Sequence, residues 1–434
     1  MARQAMREDL KDRRDRVLGA GTPLFYDRPL HIVRGEGVYL YDADGRRYVD
    51  MYNNVPCVGH ANPHVVEAMA RQQSTLNVHS RYLNEGIVEF AERLVALHGP
   101  SIESVVVSCS GTEAVEVALR MARIATGQRG IVCTNATYHG NSEAVSKLTR
   151  LPVGQNSIDD VRSFAFPELY RPLVPGASEA ELTDAYLAGL EKAIRSLRDS
   201  GAGFAGLILC SILANEGLPD IPSGFMPRAA AMAREAGGVV IADEVQAGYC
   251  RTGQWWGYEV TGFEPDIVVT GKPMGNGLPL AATAASRGLV ETFRAQTKYF
   301  NTFASSPLQA AVGMAVLDVI EKERLRENVG SVGPALKRAL TVRKAHCRAI
   351  GDVRGHGLFI GIEMVKDDGR LSPDAERAVA VVNRLKDRGF LTSNAGIFRN
   401  VVKIRPPLVF GREQAEAFLA AFDAVIAELG ICGT

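Results

Sequence analysis

The chain has 434 residues, 46% hydrophobic and 23% charged, an ordinary globular composition. Lys plus Arg and Asp plus Glu are both 49, so the formal net charge is zero, which excludes the basic footprint of a nucleic-acid binder. No basic run marks a membrane surface, and no window approaches the roughly eighteen uncharged apolar residues of a membrane span.

The opening MARQAMREDLKDRRDR is charged throughout and lacks the apolar stretch of a signal peptide. It reads as a charged amphipathic helix to about residue 20, in a cytoplasmic protein. GVYLYDADGRRYVDM (37–51) alternates strand residues around Asp44-Gly45 and predicts a hairpin. Helical periodicity then covers roughly 63–76, 84–98 and 112–126. SVVVSC (104–109), GIVCT (130–134), AGLILC (205–210), GVVIAD (238–243) and DIVVT (266–270) are continuous apolar runs. Such runs suit strands buried on both faces, in a parallel sheet covered by helices. After residue 306 come two long helices (about 306–326 and 329–346), strands near 350–364, a helix near 373–389 and a last helix from about 411. The expected class is α/β: a large, mostly parallel sheet domain with a smaller α+β domain built from both chain ends. Residues 1–58 would feed the small domain, 59–305 form the large one, and 306–434 complete the small one. The seven cysteines are scattered without a C-x-x-C pair and are expected reduced and buried.

In open α/β sheets, ligands collect at the carboxyl ends of the strands. GVVIA ends in Asp243-Glu244 and DIVVT ends in Gly271-Lys272. An acid and a lysine on adjacent strand ends make either a buried salt bridge or an electron-sink cofactor with its anchor. SVVVSCS runs into Ser110-Gly111-Thr112 and a helix, which reads as a phosphate cup or as simple capping by Ser110 or Thr112. Tyr138-His139-Gly140 follows GIVCT and offers an aromatic face. Cup, flat ring, acid and lysine together describe the needs of one cofactor. GKPMGNG has its Gly-Lys at the wrong end for a Walker A loop, and no strand precedes G-x-G-x-x-G. His60 and His64, with Pro63 between them, read as loop and helix-start residues, so no metal is expected.

YLYDADGRRYVDMYNNVPCVGHANP, SCSGTEAVEVALRMAR, TYHG, IADEVQAGYCRTG, TGKPMGNGLPLAA, NTFASSPLQAAVG and KIRPPL stand in order along nearly the whole chain. With these segments the sequence resembles the class III (ω-amino-acid type) aminotransferases of pyridoxal-phosphate (PLP) fold type I. The resemblance implies pyridoxal 5'-phosphate as cofactor, held as an imine by Lys272, with Asp243 keeping its pyridine nitrogen protonated. It implies a phosphate cup at Ser110, Gly111 and Thr112, and ring faces covered by Tyr138 and Val245. His139 and Glu216 would be further cofactor contacts, and Gln246 would bond the phenolic oxygen. Thr302 matches a threonine reaching the neighbouring subunit's cofactor, which implies a homodimer with shared sites, alone or within a tetramer. Arg405 would grip a substrate carboxylate, and Tyr52, Asn53 and Arg81 would wall the substrate pocket. Glu244 is assigned a structural hydrogen bond.

The implied reaction moves an amino group from an amine or ω-amino acid to a keto acid. GKPMGNG, HSRYL and RNVVKIRPPL also resemble the ethanolamine-phosphate phospho-lyase branch, where Arg399, Lys403 and Arg405 would hold a phosphate. Racemases and epimerases on the same scaffold are the third reading. Two departures stand out. Ser211-Ile212 replaces the family's Glu-Pro, with Glu216 only further along, so Arg405 is expected to lack its usual acidic partner. Cys250 replaces a glycine or other small residue.

Overall fold

The computed structural model describes residues 9–154 and 160–432. Residues 1–8, the start of the expected first helix, lie outside the described residues. Helix α1 (Leu10–Leu18) comes first and buries no side chain. An antiparallel ribbon of β1 (Ile32–Glu36), β2 (Tyr39–Asp42) and β3 (Arg47–Asp50) comes next. Its β2–β3 turn is the Asp44-Gly45 pair. Asp42 Oδ1 accepts the Asp44 and Arg46 amides at 3.1 and 2.9 Å, and Gly45 takes φ 81°, where a side chain is unfavourable.

The central segment runs α2 (Pro63–Thr75), α3 (Glu85–Ala96), β4 (Ser104–Ser108), α4 (Gly111–Thr126), β5 (Ile131–Thr134), α5 (Glu143–Ser146) and β6 (Val161–Phe164). It continues with α6 (Glu179–Asp199), β7 (Gly206–Cys210), α7 (Phe225–Glu235), β8 (Val239–Asp243), α8 (Gly257–Thr261), β9 (Ile267–Thr270), β10 (Ala281–Ala285) and α9 (Arg287–Thr297). Its strands form one seven-stranded sheet in the order β4-β10-β9-β8-β7-β5-β6. The run from β9 to β6 is parallel, and β10 is antiparallel to both neighbours. All of β5, β7 and β9 is buried, as continuous apolar runs require.

Two strands escape the sequence pattern. β10 is alanine-rich, and Thr283 within it donates to the Ala114 carbonyl at 2.7 Å, so small residues let α4 lie close against the strand. β6 carries Arg162 and Ser163, which hide its strand character although all four residues are buried.

The remaining chain gives α10 (Pro307–Lys322), α11 (Leu325–Ala345), β11 (Ile350–His356), β12 (Phe359–Met364), α12 (Ala375–Asp387), β13 (Phe390–Leu391), β14 (Ser393–Ala395), β15 (Val401–Ile404) and α13 (Arg412–Glu428). An antiparallel sheet has the order β11-β12-β15-β14, while β13 pairs in parallel with β3. The N-terminal ribbon and the C-terminal part therefore share a sheet.

Cysteine chemistry departs from expectation at one place. Cys347 and Cys432 are disulfide-bonded with Cα atoms 4.8 Å apart, whereas the scattered spacing predicts every cysteine reduced. Their 85-residue separation hides the proximity, which arises because α13 packs on α11 and returns the chain end to the α11 terminus. No helix among the described residues is long and apolar enough to cross a membrane.

Gly333 in α11 lies so close to Gly357 in the β11–β12 turn that a Cβ there would overlap the Gly357 backbone. Gly333→Ala is expected to lower stability by roughly 1–3 kcal/mol through overpacking. Thermal or urea unfolding reads this as a lower midpoint, and an unchanged midpoint would show that α11 shifts away freely.

Candidate active site

Parallel β7, β8 and β9 bring their carboxyl ends to one edge. In register, Cys210 lies beside Asp243, and Asp243 beside Val269. Asp243 closes β8 and is buried. Its Oδ2 meets His139 Nδ1 at 2.6 Å, and its Oδ1 accepts the Val245 amide at 3.0 Å. Lys272 lies just beyond the end of β9 and shares an inner cavity with Tyr138, His139, Asp243, Val245 and Gln246. Asp243 and Lys272 make no ion pair, and the Lys272 ammonium has no hydrogen-bond partner among the described residues. The buried-salt-bridge reading of the two strand ends therefore fails. Lys272 is reachable from the cavity and hemmed by protein elsewhere. That crowding, and then the Arg405 charge, pull its pKa below the ordinary lysine value against the smaller opposing effect of Asp243. A lowered lysine pKa brings the neutral, nucleophilic amine closer to neutral pH.

The adjoining Glu244 is fully buried and accepts the Gly257 and Tyr258 amides, each at 2.8 Å. Burial raises its pKa to about 7. It braces the start of α8, the structural role expected of it.

At the α4 start, Ser110 is the N-cap: its Oγ accepts the Glu113 amide at 3.2 Å, while Glu113 returns a carboxylate oxygen to the Cys109 amide at 2.8 Å. The Gly111 and Thr112 amides have no acceptor among the described residues, as the first turn of a helix leaves them. A Cβ on Gly111 would stand 3.1 Å from both Val245 methyl groups, so this helix start abuts the inner cavity. Thr112 Oγ1 accepts the Asn141 amide at 3.3 Å and so ties the Tyr138–Asn141 loop to the same place. Two free amides at the positive end of a sixteen-residue helix form an anion cradle.

Tyr138 also borders an outer cavity of about 690 Å³, with Tyr52, Arg150, Asn215, Arg399 and Lys403 among its lining residues. Phe25 packs edge-on against Tyr52 at 5.1 Å and brings the N-terminal segment into the wall. Arg405 and Lys403 are buried; Lys403 lines the outer cavity, whereas Arg405 lines neither and reaches the site through Gln246 and Tyr52. Arg405 Nε donates to the Tyr52 carbonyl at 3.0 Å, and its Nη1 donates to Gln246 Oε1. Lys403 Nζ donates to the same Oε1 at 3.2 Å and to the Ala214 carbonyl at 3.3 Å. Arg405 has no carboxylate partner among the described residues.

Four expected site residues lie elsewhere. Glu216 does not line the inner cavity: its Oε1 accepts from Thr134 at 3.1 Å, and it borders a separate crevice with Arg171, Arg354 and Glu363. After β7 the chain bends and turns through 211–217, and Glu216 ends beside Thr134 at the end of β5. Asn53 lines neither cavity, and its amide donates to Asp50 at 2.9 Å. Arg81 stacks on Phe300 at 4.1 Å, and Thr302 is exposed beside Phe303, outside both cavities of this chain.

The profile of the class-III aminotransferases matches residues 25–426. A phospholyase from Arthrobacter, solved in complex with phosphoethanolamine, superposes with a TM-score of 0.93 at 39% identity, covering 96% of this chain and 99% of that one. An alanine–glyoxylate aminotransferase 2-like protein of Drosophila melanogaster is 36% identical over 94% of this chain and 85% of its own length. Ethanolamine-phosphate phospho-lyase homolog 1 of Caenorhabditis elegans is 31% identical over 97% of this chain and 93% of its own.

Sequence reasoning passes over Asn54 and the role of Arg251. Asn54 Oδ1 accepts from Arg251 at 2.9 and 3.2 Å, and its Nδ2 donates to the Gln246 carbonyl at 3.1 Å. Both side chains are buried. The only advance signal is an asparagine beside the hairpin and an arginine inside the DEVQAGYCRTG run. Asn54→Ala is expected to cost roughly 3 kcal/mol, because it leaves a buried guanidinium short of an acceptor. Hydrogen exchange at 245–252 should speed up with it. Wild-type stability and exchange in this variant would show that Asn54 supports nothing.

Proposed function

The chain belongs to the class-III aminotransferases, and from that premise we propose that it is a PLP-dependent transaminase taking an amine or ω-amino acid as donor and a keto acid as acceptor. The observation that carries this reading is the unpaired Lys272 beside the Asp243–His139 pair, with the free α4 amides next to them. These residues fit the cofactor. Lys272 would hold it and move a proton on and off the substrate carbon. Asp243, oriented by His139, would keep the ring nitrogen protonated. Gly111 and Thr112 would bind the phosphate next to the Ser110 cap, and Tyr138 and Val245 would flank the ring. When bound, the cofactor supplies an electron sink.

Arg405 supports the keto-acid half of the reaction. Its guanidinium is buried, bonded only to neutral oxygens, and retains donors for a two-pronged carboxylate contact. Burial pushes its pKa below the ordinary arginine value, so a bound carboxylate would stabilise its charge. Thr302 and Arg81 fit a homodimer in which each chain completes its neighbour's site. The fully exposed Leu83 and the three-quarters exposed Phe303 near them support such an apolar contact.

A second reading, phosphate elimination from a phosphorylated amine, is favoured by the outer cavity. Arg150, Arg399 and Lys403 line it against one acidic residue, Asp27. The likeness to a phospholyase solved with phosphoethanolamine points the same way. In that reaction the carbon–oxygen bond to phosphate breaks and no keto acid is consumed.

Borohydride reduction of the yellow holoenzyme should fix the cofactor on Lys272. Single amine donors without a keto acid should then convert it to the pyridoxamine form. A label on another lysine would overturn the cofactor assignment. Phosphate release with the visible band restored would replace transamination by elimination.

Arg405→Ala should raise KM for the keto acid roughly a hundredfold, the worth of one charged bidentate contact, while a carboxylate-free amine donor changes much less. Equal losses for both partners would make Arg405 structural rather than substrate-gripping.

A further inference from the structure

We infer that Lys403 is a positioning residue that, together with Arg405, pins the Gln246 amide so that its oxygen faces the two cations and its NH2 faces the cofactor's phenolic oxygen. The inference rests on the PLP reading above. Lys and Arg side chains only donate hydrogen bonds, so whatever they share must be an acceptor. Both converge on Gln246 Oε1, from 3.2 Å in the case of Lys403. Turning the amide over would set an NH2 against two buried cations and strip both of an acceptor. With the oxygen held, Nε2 is left to reach Asn215 Oδ1 at 3.4 Å, and its second hydrogen has no acceptor among the described residues.

Placement gives this pin a purpose. Gln246 lines the inner cavity with Lys272 and Asp243, whereas Lys403 lines the outer one, so the pair bridges the two. Arg405 by itself is a shared anchor, because in the proposed reaction the same guanidinium must also hold a substrate carboxylate. Lys403 is then the donor that stays on the oxygen, steadied by the Ala214 carbonyl at 3.3 Å and by the Phe359 ring 5.3 Å away. The charged and titratable groups acting on Lys403 are Arg405, Lys272, Glu216 and Cys210. Burial and then Arg405 and Lys272 hold its pKa well below the ordinary lysine value, while Glu216 and Cys210 oppose them.

A donor on the phenolic oxygen draws off negative charge that otherwise helps hold the nearby proton at Lys272. Losing that donor therefore raises the pH at which the holoenzyme's visible band titrates. With an unreactive carboxylate bound to engage Arg405, Lys403→Met should raise the midpoint by about one pH unit, in line with one lost charged hydrogen bond. Lys403→Arg, which keeps the donors, should hold the wild-type midpoint. The deciding measurement repeats Lys403→Met in a Gln246→Leu background, where a residue acting through Gln246 has nothing left to position and no further shift is expected. The same shift in both backgrounds would mean that Lys403 acts by its charge alone, and an unmoved midpoint in Lys403→Met would remove the role altogether. Lys403→Leu, likewise without donor or charge, serves the same comparison if the methionine variant does not fold. A wild-type protein that never acquires a visible band would overturn the PLP reading instead, a result distinct from either failure.

Discussion

Buried positive charge without bonded negative charge is the constraint around which this site is built. Buried Arg251, Lys403 and Arg405, with Lys272 opening onto the cavity beside them, crowd the carboxyl edge of the large sheet, and none makes an ion pair with a carboxylate among the described residues. Burial lowers the pKa of all four, and Arg405 lowers it further for the other three. An isolated buried cation costs several kcal/mol, so such a cluster persists only where neutral oxygens are aimed at it with good geometry. It also leaves a strong local preference for anions, which both a carboxylate and a phosphate satisfy. The same charge pattern thus accommodates a transaminase and a phospho-lyase, and the two chemistries are separated by what leaves the substrate.

The neutral oxygens come from all over the chain. Arg405 uses the Tyr52 carbonyl beyond the N-terminal ribbon, and Lys403 uses the Ala214 carbonyl beyond β7. Arg251 uses the carbonyls of Leu358 and Pro406 and the Asn54 side chain. Satisfying these cations therefore fastens the ribbon, the large-sheet edge and the C-terminal sheet to one another. Pairing of β3 with β13 adds a backbone seam to the same junction. Stability and site geometry are coupled here: a residue such as Asn54 touches no cavity yet orients the Gln246 backbone and the Arg251 guanidinium together.

This division also decides which features are legible in the sequence. β4, β5, β7, β8 and β9 are legible because burial on both faces demands unbroken apolar runs, and the cofactor side of the site is legible because its residues end those strands. β10 and β6 are not, since helix contact in one and polar side chains in the other mask the apolar signal. The family resemblance implies a cofactor contact for Glu216, but its carboxylate accepts from Thr134 and borders a separate crevice. The Cys347–Cys432 bond and the Asn54–Arg251 pair join positions 85 and 197 residues apart, and no local pattern encodes such contacts. Arg81, stacked on Phe300, and the exposed Thr302 lie outside both cavities of the chain, and no local sequence signal separates such positions from pocket-lining ones.

Cys250, a departure from the family's small residue, shows how local strain serves the cluster. Cys250 and the preceding Tyr249 both adopt left-handed backbone, at φ 63° and 58°, and both are buried. For residues with a Cβ this costs of order 1–2 kcal/mol each, and it persists only where the surroundings over-determine it. A preference for a small residue at 250 is the natural result, because glycine takes that conformation without penalty. Immediately after this turn comes Arg251, whose guanidinium must enter a fixed set of carbonyls. A relaxed loop would point it elsewhere and leave the Leu358 and Pro406 oxygens unmatched. The strained turn is thus maintained by the hydrogen bonds that it makes possible, and it holds Val245 and Gln246, a few residues earlier, against the cavity where the ring would lie.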